Sequence, residues 1–274
     1  MRHHISRIAF ASGACLVAAL AGASVSATGA PASEDGEAPT FKEFKAATYR
    51  DADGQYIVNG DEPLKNTRQL KKFYNAMVAQ QQTPENGLVV NTVNGVDDAW
   101  SDSEVGALSY CVSDDFGGDH AAMVSAMAEG AGLWESASSA IDFVYVAAQD
   151  GNCTTGNNAV TFSVEPVNTT QYIARAFFPS SSKSVRNVLV DDSIWDSGTW
   201  EPGDILAHEL GHALGFRHEH TRPEAGTCFE DNNWRPLTPY DGASIMHYPQ
   251  CNGSSADLEF SAYDVDGVQE LYGS

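Results

Sequence analysis

The residues best suited to chemistry lie in one short stretch: His208, Glu209 and His212, then Gly215 and His218. Residues four apart on a helix share a face one turn apart, so His208 and His212 can aim imidazole nitrogens at a single ion. Gly215 tolerates left-handed backbone, which lets it end that helix and turn the chain so that His218 returns to the same ion from outside it. Three neutral imidazoles suit zinc and leave a coordination position for water. Because these ligands carry no charge, the ion keeps its full +2 to lower the water's pKa toward about 7. Glu209 flanks the first ligand and is placed to take the proton of that zinc-activated water. In a chain of this composition H-E-x-x-H should arise by chance on the order of 0.01 times. Isolated histidines carry no such weight, and His120 and His220 read as surface or supporting residues. A purely structural zinc would be closed by four protein ligands, and no fourth stands in this segment.

The elements that must position this stretch read as mixed α/β. Strand patterns cover Leu108 to Val112, Ile141 to Ala148, Val160 to Val164, Tyr172 to Phe178 and Val188 to Val190. A helix is expected over His120 to Ala137, with Met123, Met127, Ala131 and Trp134 on its buried face, and a second over Ile205 to Leu214. A closing helix is capped by Ser261 with Asp264 three residues on, carries Val265, Val268 and Leu271, and stops at Gly273. Ahead of these lie a strand from Gln55 to Val58, a basic helix from about Leu64 to Gln80 and a strand from Leu88 to Val93.

The first residues follow the export pattern: Arg2 and Arg7, an apolar run from Ile8 to Leu20, and a small-residue exit at Val25, Ser26 and Ala27. We read 1–27 as a signal peptide rather than a stable membrane anchor, because the run is shorter than the roughly 20 residues a bilayer span needs. Export to an oxidising compartment leaves Cys111, Cys153, Cys228 and Cys251 as disulfide candidates. Of the three connectivities, the nearest-neighbour one pairs Cys111 with Cys153 and Cys228 with Cys251. The formal charge of −22 excludes a nucleic-acid partner, which requires a basic footprint. Residues 28–98 carry seven lysines and arginines against eleven acids, whereas 99–274 carry six against twenty-six. We read 28–98 as a pro-segment, or alternatively an N-terminal subdomain, with a polar, exposed boundary near Asp97 to Ser103, and 99–274 as the catalytic domain.

The extended histidine motif resembles that of the metzincin metallopeptidases, and Ser244, Ile245, Met246, His247 and Tyr248 stand where those proteins carry a methionine turn. Phe216, Arg217, His218 and Glu219, with Arg222 and with Met246, His247 and Tyr248, look like the astacin branch or a bacterial HEIGH-type relative. Glu224 departs from that pattern, where astacins have aspartate. The resemblance implies a two-lobed α/β (α+β) domain with a twisted mixed sheet, an active-site helix and a methionine turn. It implies a secreted endopeptidase with one catalytic zinc ion that hydrolyses internal bonds of protein or peptide substrates. A thermolysin-type site would need a glutamate on a later helix, which His218 makes unnecessary, and a zinc module without catalysis would not need Glu209. By the same resemblance Tyr248 supports the oxyanion, Met246 forms an apolar floor under the imidazoles, and Glu219 receives a new N-terminal ammonium, although a plain surface carboxylate fits it equally. Val58, Asn59, Gly60 and Asp61 resemble the Gly-Asp element with which astacin pro-segments close their own sites, making Asp61 a candidate latency switch. Asn59 and Gly60 equally suit a plain turn between a strand and the following helix. Lys65, Arg68, Lys71 and Lys72 offer a basic helix face for docking on the acidic catalytic part.

Overall fold

The structure is a computed structural model that describes residues 39–79, 88–228 and 230–274, and the signal-peptide reading of 1–27 lies outside them. The chain opens with α1 (Phe41–Ala47), whose N-terminus is closed by a Thr40–Glu43 capping box. Strands β1 (Tyr49–Arg50), β2 (Tyr56–Val58) and β3 (Glu62–Leu64) then form an antiparallel sheet in that order, followed by α2 (Thr67–Ala79). Phe44, Tyr56, Val58, Leu70 and Phe73 are buried together between them and make this body's own small core. The basic helix therefore starts later than its charge pattern suggests, because Glu62–Leu64 is drawn into the sheet opposite Tyr56–Val58.

Strand β4 (Val89–Val93) is not part of that body. It pairs with β5 (Val96–Asp97) and with β10 (Trp234–Pro236), and Arg217 donates its backbone N–H to the Val89 carbonyl. Leu88 sits in the main core against Gly267, where a Cβ would fall 2.5 Å from its side chain. The polar stretch 97–103 is exposed at Ser101, Asp102 and Ser103, as its composition suggests, but its first half is built into the larger body. Asp98 is buried and accepts from Asn91 and from both the backbone and hydroxyl of Ser180, while Trp100 donates its indole N–H to the Ala213 carbonyl.

Beyond it come α3 (Asp102–Val105), β6 (Tyr110–Val112), α4 (His120–Ala137), β7 (Phe162–Val167), β8 (Ala174–Arg175), β9 (Asn187–Asp191), α5 (Pro202–Leu214) and α6 (Ala262–Tyr272). The main sheet has the order β6-β7-β9-β8, parallel except for the antiparallel edge strand β8. This is the mixed α/β architecture expected from the sequence. Two expected strands are shorter than their patterns. Ile141–Ala148 makes no strand but a single bridge between Tyr145 and Tyr110, although it lies extended against Leu108 and Tyr110 through backbone hydrogen bonds. Of Tyr172–Phe178 only Ala174–Arg175 pairs, because only there does β9 lie alongside.

Alternation along β8 and β9 separates two faces. Ala174, Ala176, Val188 and Val190 enter the main core beneath α4 and α5, while Leu189 turns the other way and packs with Ile57 and Tyr172. The helices α4 and α5 approach closely at Gly130, where a Cβ would lie 2.7 Å from the Ala207 backbone nitrogen. Trp134 locks the pair by donating its indole N–H to the Ala207 carbonyl at 2.8 Å. Both nearest-neighbour disulfides form, Cys111 with Cys153 and Cys228 with Cys251. Among the described residues no helix is long and apolar enough to cross a membrane.

Candidate metal centre

Helix α5 begins with proline at its first turn and ends at Gly215, whose φ of +104° is the left-handed conformation that the motif requires. A side chain at 215 would also strike the Asp98 carbonyl oxygen, 2.1 Å from the Cβ position. The turn sends His218 back so that His208, His212, His218 and Asp61 offer ligand atoms all within 4.8 Å of one another, every one of them buried.

The tautomers follow from the partners. His208 Nδ1 lies 2.7 Å from the Ile245 carbonyl and His212 Nδ1 lies 2.8 Å from the Phe216 carbonyl; since a carbonyl only accepts, both Nδ1 atoms donate. His218 Nδ1 donates likewise to Glu230 Oε1 at 2.6 Å. Each ring is thereby pinned with its Nε2 turned to the common centre. His208 Nε2 stands 3.1 Å from His218 Nε2, and the Asp61 oxygens stand 3.4, 3.6 and 3.3 Å from the Nε2 atoms of His208, His212 and His218. Tetrahedral zinc with bonds of about 2.0–2.2 Å separates its ligand atoms by about 3.3–3.6 Å. The donor set and its spacing therefore fit zinc.

Charge bookkeeping agrees. Asp61, Glu62, Glu209, Glu230 and Asp231 are all buried here, and the guanidinium among them is that of Arg217, which pairs with Glu62, Glu230 and Asp231. Against burial, Asp61 and Glu230 hold His218 well above its ordinary range, so a dication bound at the imidazoles would displace a proton and take over its role against these carboxylates. Burial works against ionisation of Asp61, yet His218 and His212 hold its carboxyl well below the usual range. Burial pushes Glu209 well above its usual range, and the neighbouring Asp61 charge adds to this. Burial also lowers His208 to about 4, keeping the imidazole neutral.

Glu209 Oε2 is buried and has no hydrogen-bond partner among the described residues. With His208, Asp61 and Tyr248 it lines a cavity of about 590 Å³ walled also by Tyr172, Ala174 and Trp200. The Tyr248 ring stacks on His208 with centroids 5.3 Å apart, and its hydroxyl donates to the Asp61 carboxylate. Met246 is fully buried under α5, its sulfur 2.4 Å from where a Cβ on Gly211 would stand. Asp264 of α6 accepts from the Ser244 hydroxyl at 2.5 Å and from the Ile245 N–H at 3.0 Å, so the turn that supports His208 is anchored by the closing helix.

Asp61 arrives on the loop of the β2–β3 hairpin, where Val58 pairs with Glu62. Asn59 and Gly60 both have positive φ, 56° and 105°, and a Cβ on Gly60 would lie 3.2 Å from the Tyr248 hydroxyl. Asn59–Gly60 thus makes a turn between two strands rather than between a strand and a helix, and that turn brings Asp61 beside the three imidazoles. Glu219 is a correction: far from being a surface carboxylate it is fully buried, pairs with the Arg222 guanidinium at 2.9 Å, and is pushed up to about 8 by burial. His220 is buried as a supporting residue, its ring accepting the Tyr248 N–H at 3.2 Å. His120, half-buried, lies 3.2 Å from Asp150, away from the centre. The basic helix also differs from expectation. Lys65, Arg68, Lys71 and Lys72 are exposed, and their reach into the larger body is Lys65 to the Ser182 hydroxyl at 2.8 Å. The contacts run with the opposite sign. Asp51 and Asp53 each lie 2.8 Å from the Arg175 guanidinium, and Glu62 lies 3.2 Å from that of Arg217. Sequence reading named Arg217 within the motif without its ion pairs, and missed Glu230, Asp231, Arg175 and Glu62; pairs assembled only by folding leave no local signal.

A model of metallo-peptidase family M12 matches residues 79–258, about two thirds of the chain. Curated relatives include bone morphogenetic protein 1 of Xenopus laevis, 35% identical over 91 residues that cover 25% of this chain and 13% of that protein. Zinc metalloproteinase nas-30 of Caenorhabditis elegans is 39% identical over 67 residues, covering 18% and 9%, and high choriolytic enzyme 2 of Oryzias latipes is 39% identical over 61, covering 16% and 22%. The chain thus spans less than a quarter of the length of each of these relatives. The solved structure of myroilysin covers 65% of this chain and 96% of its own, with 17% identity and a TM-score of 0.46. The metzincin resemblance read from the histidine motif agrees with the family match: the chain belongs to metallo-peptidase family M12.

Proposed function

We propose that the protein is a secreted zinc-dependent endopeptidase made in a self-blocked form. The observation that carries this reading is the convergence of the three Nε2 atoms, each fixed by an Nδ1 partner, beside a buried carboxylate oxygen of Glu209 that has no partner. His208, His212 and His218 would hold zinc, which when bound polarises the scissile carbonyl and acidifies water. Glu209 acts as general base toward that water's proton and then returns it to the leaving amine. Tyr248, held by its stack on His208, donates its hydroxyl to the developing oxyanion. The outer edge of β8, unpaired among the described residues, offers an extended polypeptide a strand partner, so internal bonds of proteins are the substrates. Two disulfides support an oxidising, extracytoplasmic location.

In the uncut chain Asp61 stands beside the three imidazoles, where its carboxylate would bind a zinc ion in place of water. We take 39–79 as the blocking body; because β4 pairs with β10 in the larger body, a cut ahead of β4 would release it more readily than one in the 97–103 stretch. The deciding experiment is Glu209→Ala beside His212→Ala in processed protein. Glu209→Ala should keep near-stoichiometric zinc and lose at least about a hundredfold in peptidase rate, while His212→Ala should lose the metal. Wild-type cleavage by purified Glu209→Ala would sink the mechanism.

A further inference from the structure

Arg175 stands on the edge strand β8 with no exposed surface, and its charge is unusual in where it is answered. Among the described residues its ion pairs are with Asp51 and Asp53, both in the small N-terminal body, at 2.8 Å. The larger body itself supplies Asn187, whose Oδ1 accepts from Arg175 Nη1 at 3.1 Å and whose Nδ2 donates to Asp53 at 3.0 Å. Asp51 is set for its contact by accepting the Gln55 N–H at 2.9 Å. An arginine fork backed by an amide donor is a built receptor for carboxylates. A buried guanidinium that lost both aspartates would be left uncompensated, and so would take up another carboxylate or water.

The position is next to the reacting groups. Ala174, the neighbour of Arg175 on β8, lines the same cavity as Glu209 and His208, and so does Tyr172, whose buried hydroxyl has no partner among the described residues. An extended polypeptide laid along the β8 edge passes both.

We propose that Arg175 and Asn187 form a subsite for an acidic side chain of the polypeptide substrate, a subsite that Asp51 and Asp53 fill in the uncut chain. This deepens the peptidase reading above and rests on it. The blocking body thus imitates the substrate at two points: Asp61 at the metal centre and the aspartate pair at the subsite.

The test uses full-length chain, zinc-loaded, folded and then cut by limited proteolysis. Internally quenched peptides are compared in pairs that differ by Asp against Asn at each position in turn. Wild type should favour Asp at one fixed position by about tenfold or more in kcat/KM, with the difference carried by KM. Arg175→Gln should bring that ratio to about one, and Arg175→Lys, which keeps charge without the fork, should leave an intermediate ratio. An Asp-to-Asn ratio in Arg175→Gln equal to that of wild type overturns the proposal. A second arm keeps it open to refutation if Arg175→Gln does not fold. A synthetic peptide covering 48–58, which stops short of Asp61, is titrated into processed wild-type protein by calorimetry. The same peptide with Asp51→Asn and Asp53→Asn should bind at least about tenfold more weakly, and equal affinity overturns the proposal. The underlying reading fails separately, through an uncut wild type that cleaves peptides as fast as the cut one.

Discussion

The body 39–79 and the body that carries the histidines are held together on different terms. The first has five buried apolar residues in its own core, too few for a span of about 40 residues to be stable alone. The second has a continuous core from Leu88 through α4, α5 and the sheet to Val268. What the small body lacks in apolar contact it gains from directed charge: Asp51, Asp53, Asp61 and Glu62 each meet a guanidinium or an imidazole of the larger body. The small body, with seven lysines and arginines against five acids, is net basic and the larger one acidic, so net charge draws them together; yet its basic helix stays exposed and the pairs it makes run from its own acids to the larger body's cations. The lesson is that docking is decided by a few desolvated pairs, and not by the formal charge of either surface.

The sharpest way to break this comparison is at Asp61. In uncut chain, Asp61→Ala should raise zinc-dependent peptidase activity by about a hundredfold or more over uncut wild type, because the small body stays docked through its other pairs but no longer fills the centre. Equal activity in both uncut proteins, measured on one quenched peptide, would eliminate Asp61 as the switch.

Tyr248 touches both bodies, stacking on His208 and donating to Asp61. Tyr248→Phe keeps the ring and removes the hydroxyl. In processed protein kcat should fall about ten- to a thousandfold with little change in melting temperature; an unchanged kcat would return Tyr248 to a packing role.

The smallest effect is expected from the charges that net composition would have ranked first. Replacing the exposed Lys65, Arg68, Lys71 and Lys72 by glutamine should alter the uncut chain's stability by no more than about 1 kcal/mol in a denaturant titration. A loss of several kcal/mol would mean that the basic face does hold the two bodies together.

Much of the centre was legible because its information is local. His208 and His212 share a helix face, Gly215 must turn, and His218 follows three residues later, so a motif specifies the geometry. The limits of α4 and the cap at Ser261 were equally readable, since a helix answers mainly to its own periodicity and end residues. Asp61 could be suspected from Gly60, whose positive φ the hairpin does require. Glu230 could not, because its role depends on a 2.6 Å approach to His218 made by a separate loop. Arg175 was invisible for the same reason, its partners lying more than 100 residues earlier in the chain. Ile141–Ala148 was overextended: its middle bonds in register to Leu108 and Tyr110, but from Ala147 the chain coils into a tight helical turn, which alternation of buried residues does not report.

The covalent join between α2 and β4 has a consequence for how the blocking body works over time. While the chain is whole, the hairpin that carries Asp61 is a tethered ligand, and a short tether corresponds to an effective concentration in the millimolar range. Under the proposed latency even a modest intrinsic affinity then keeps the centre filled. Once 80–87 is cut, the same hairpin becomes a free fragment at the concentration of the protein itself, orders of magnitude lower, and its small core no longer holds its shape. Re-inhibition therefore pays both dilution and refolding, so a single cleavage acts as a one-way step without any irreversible change in the catalytic body.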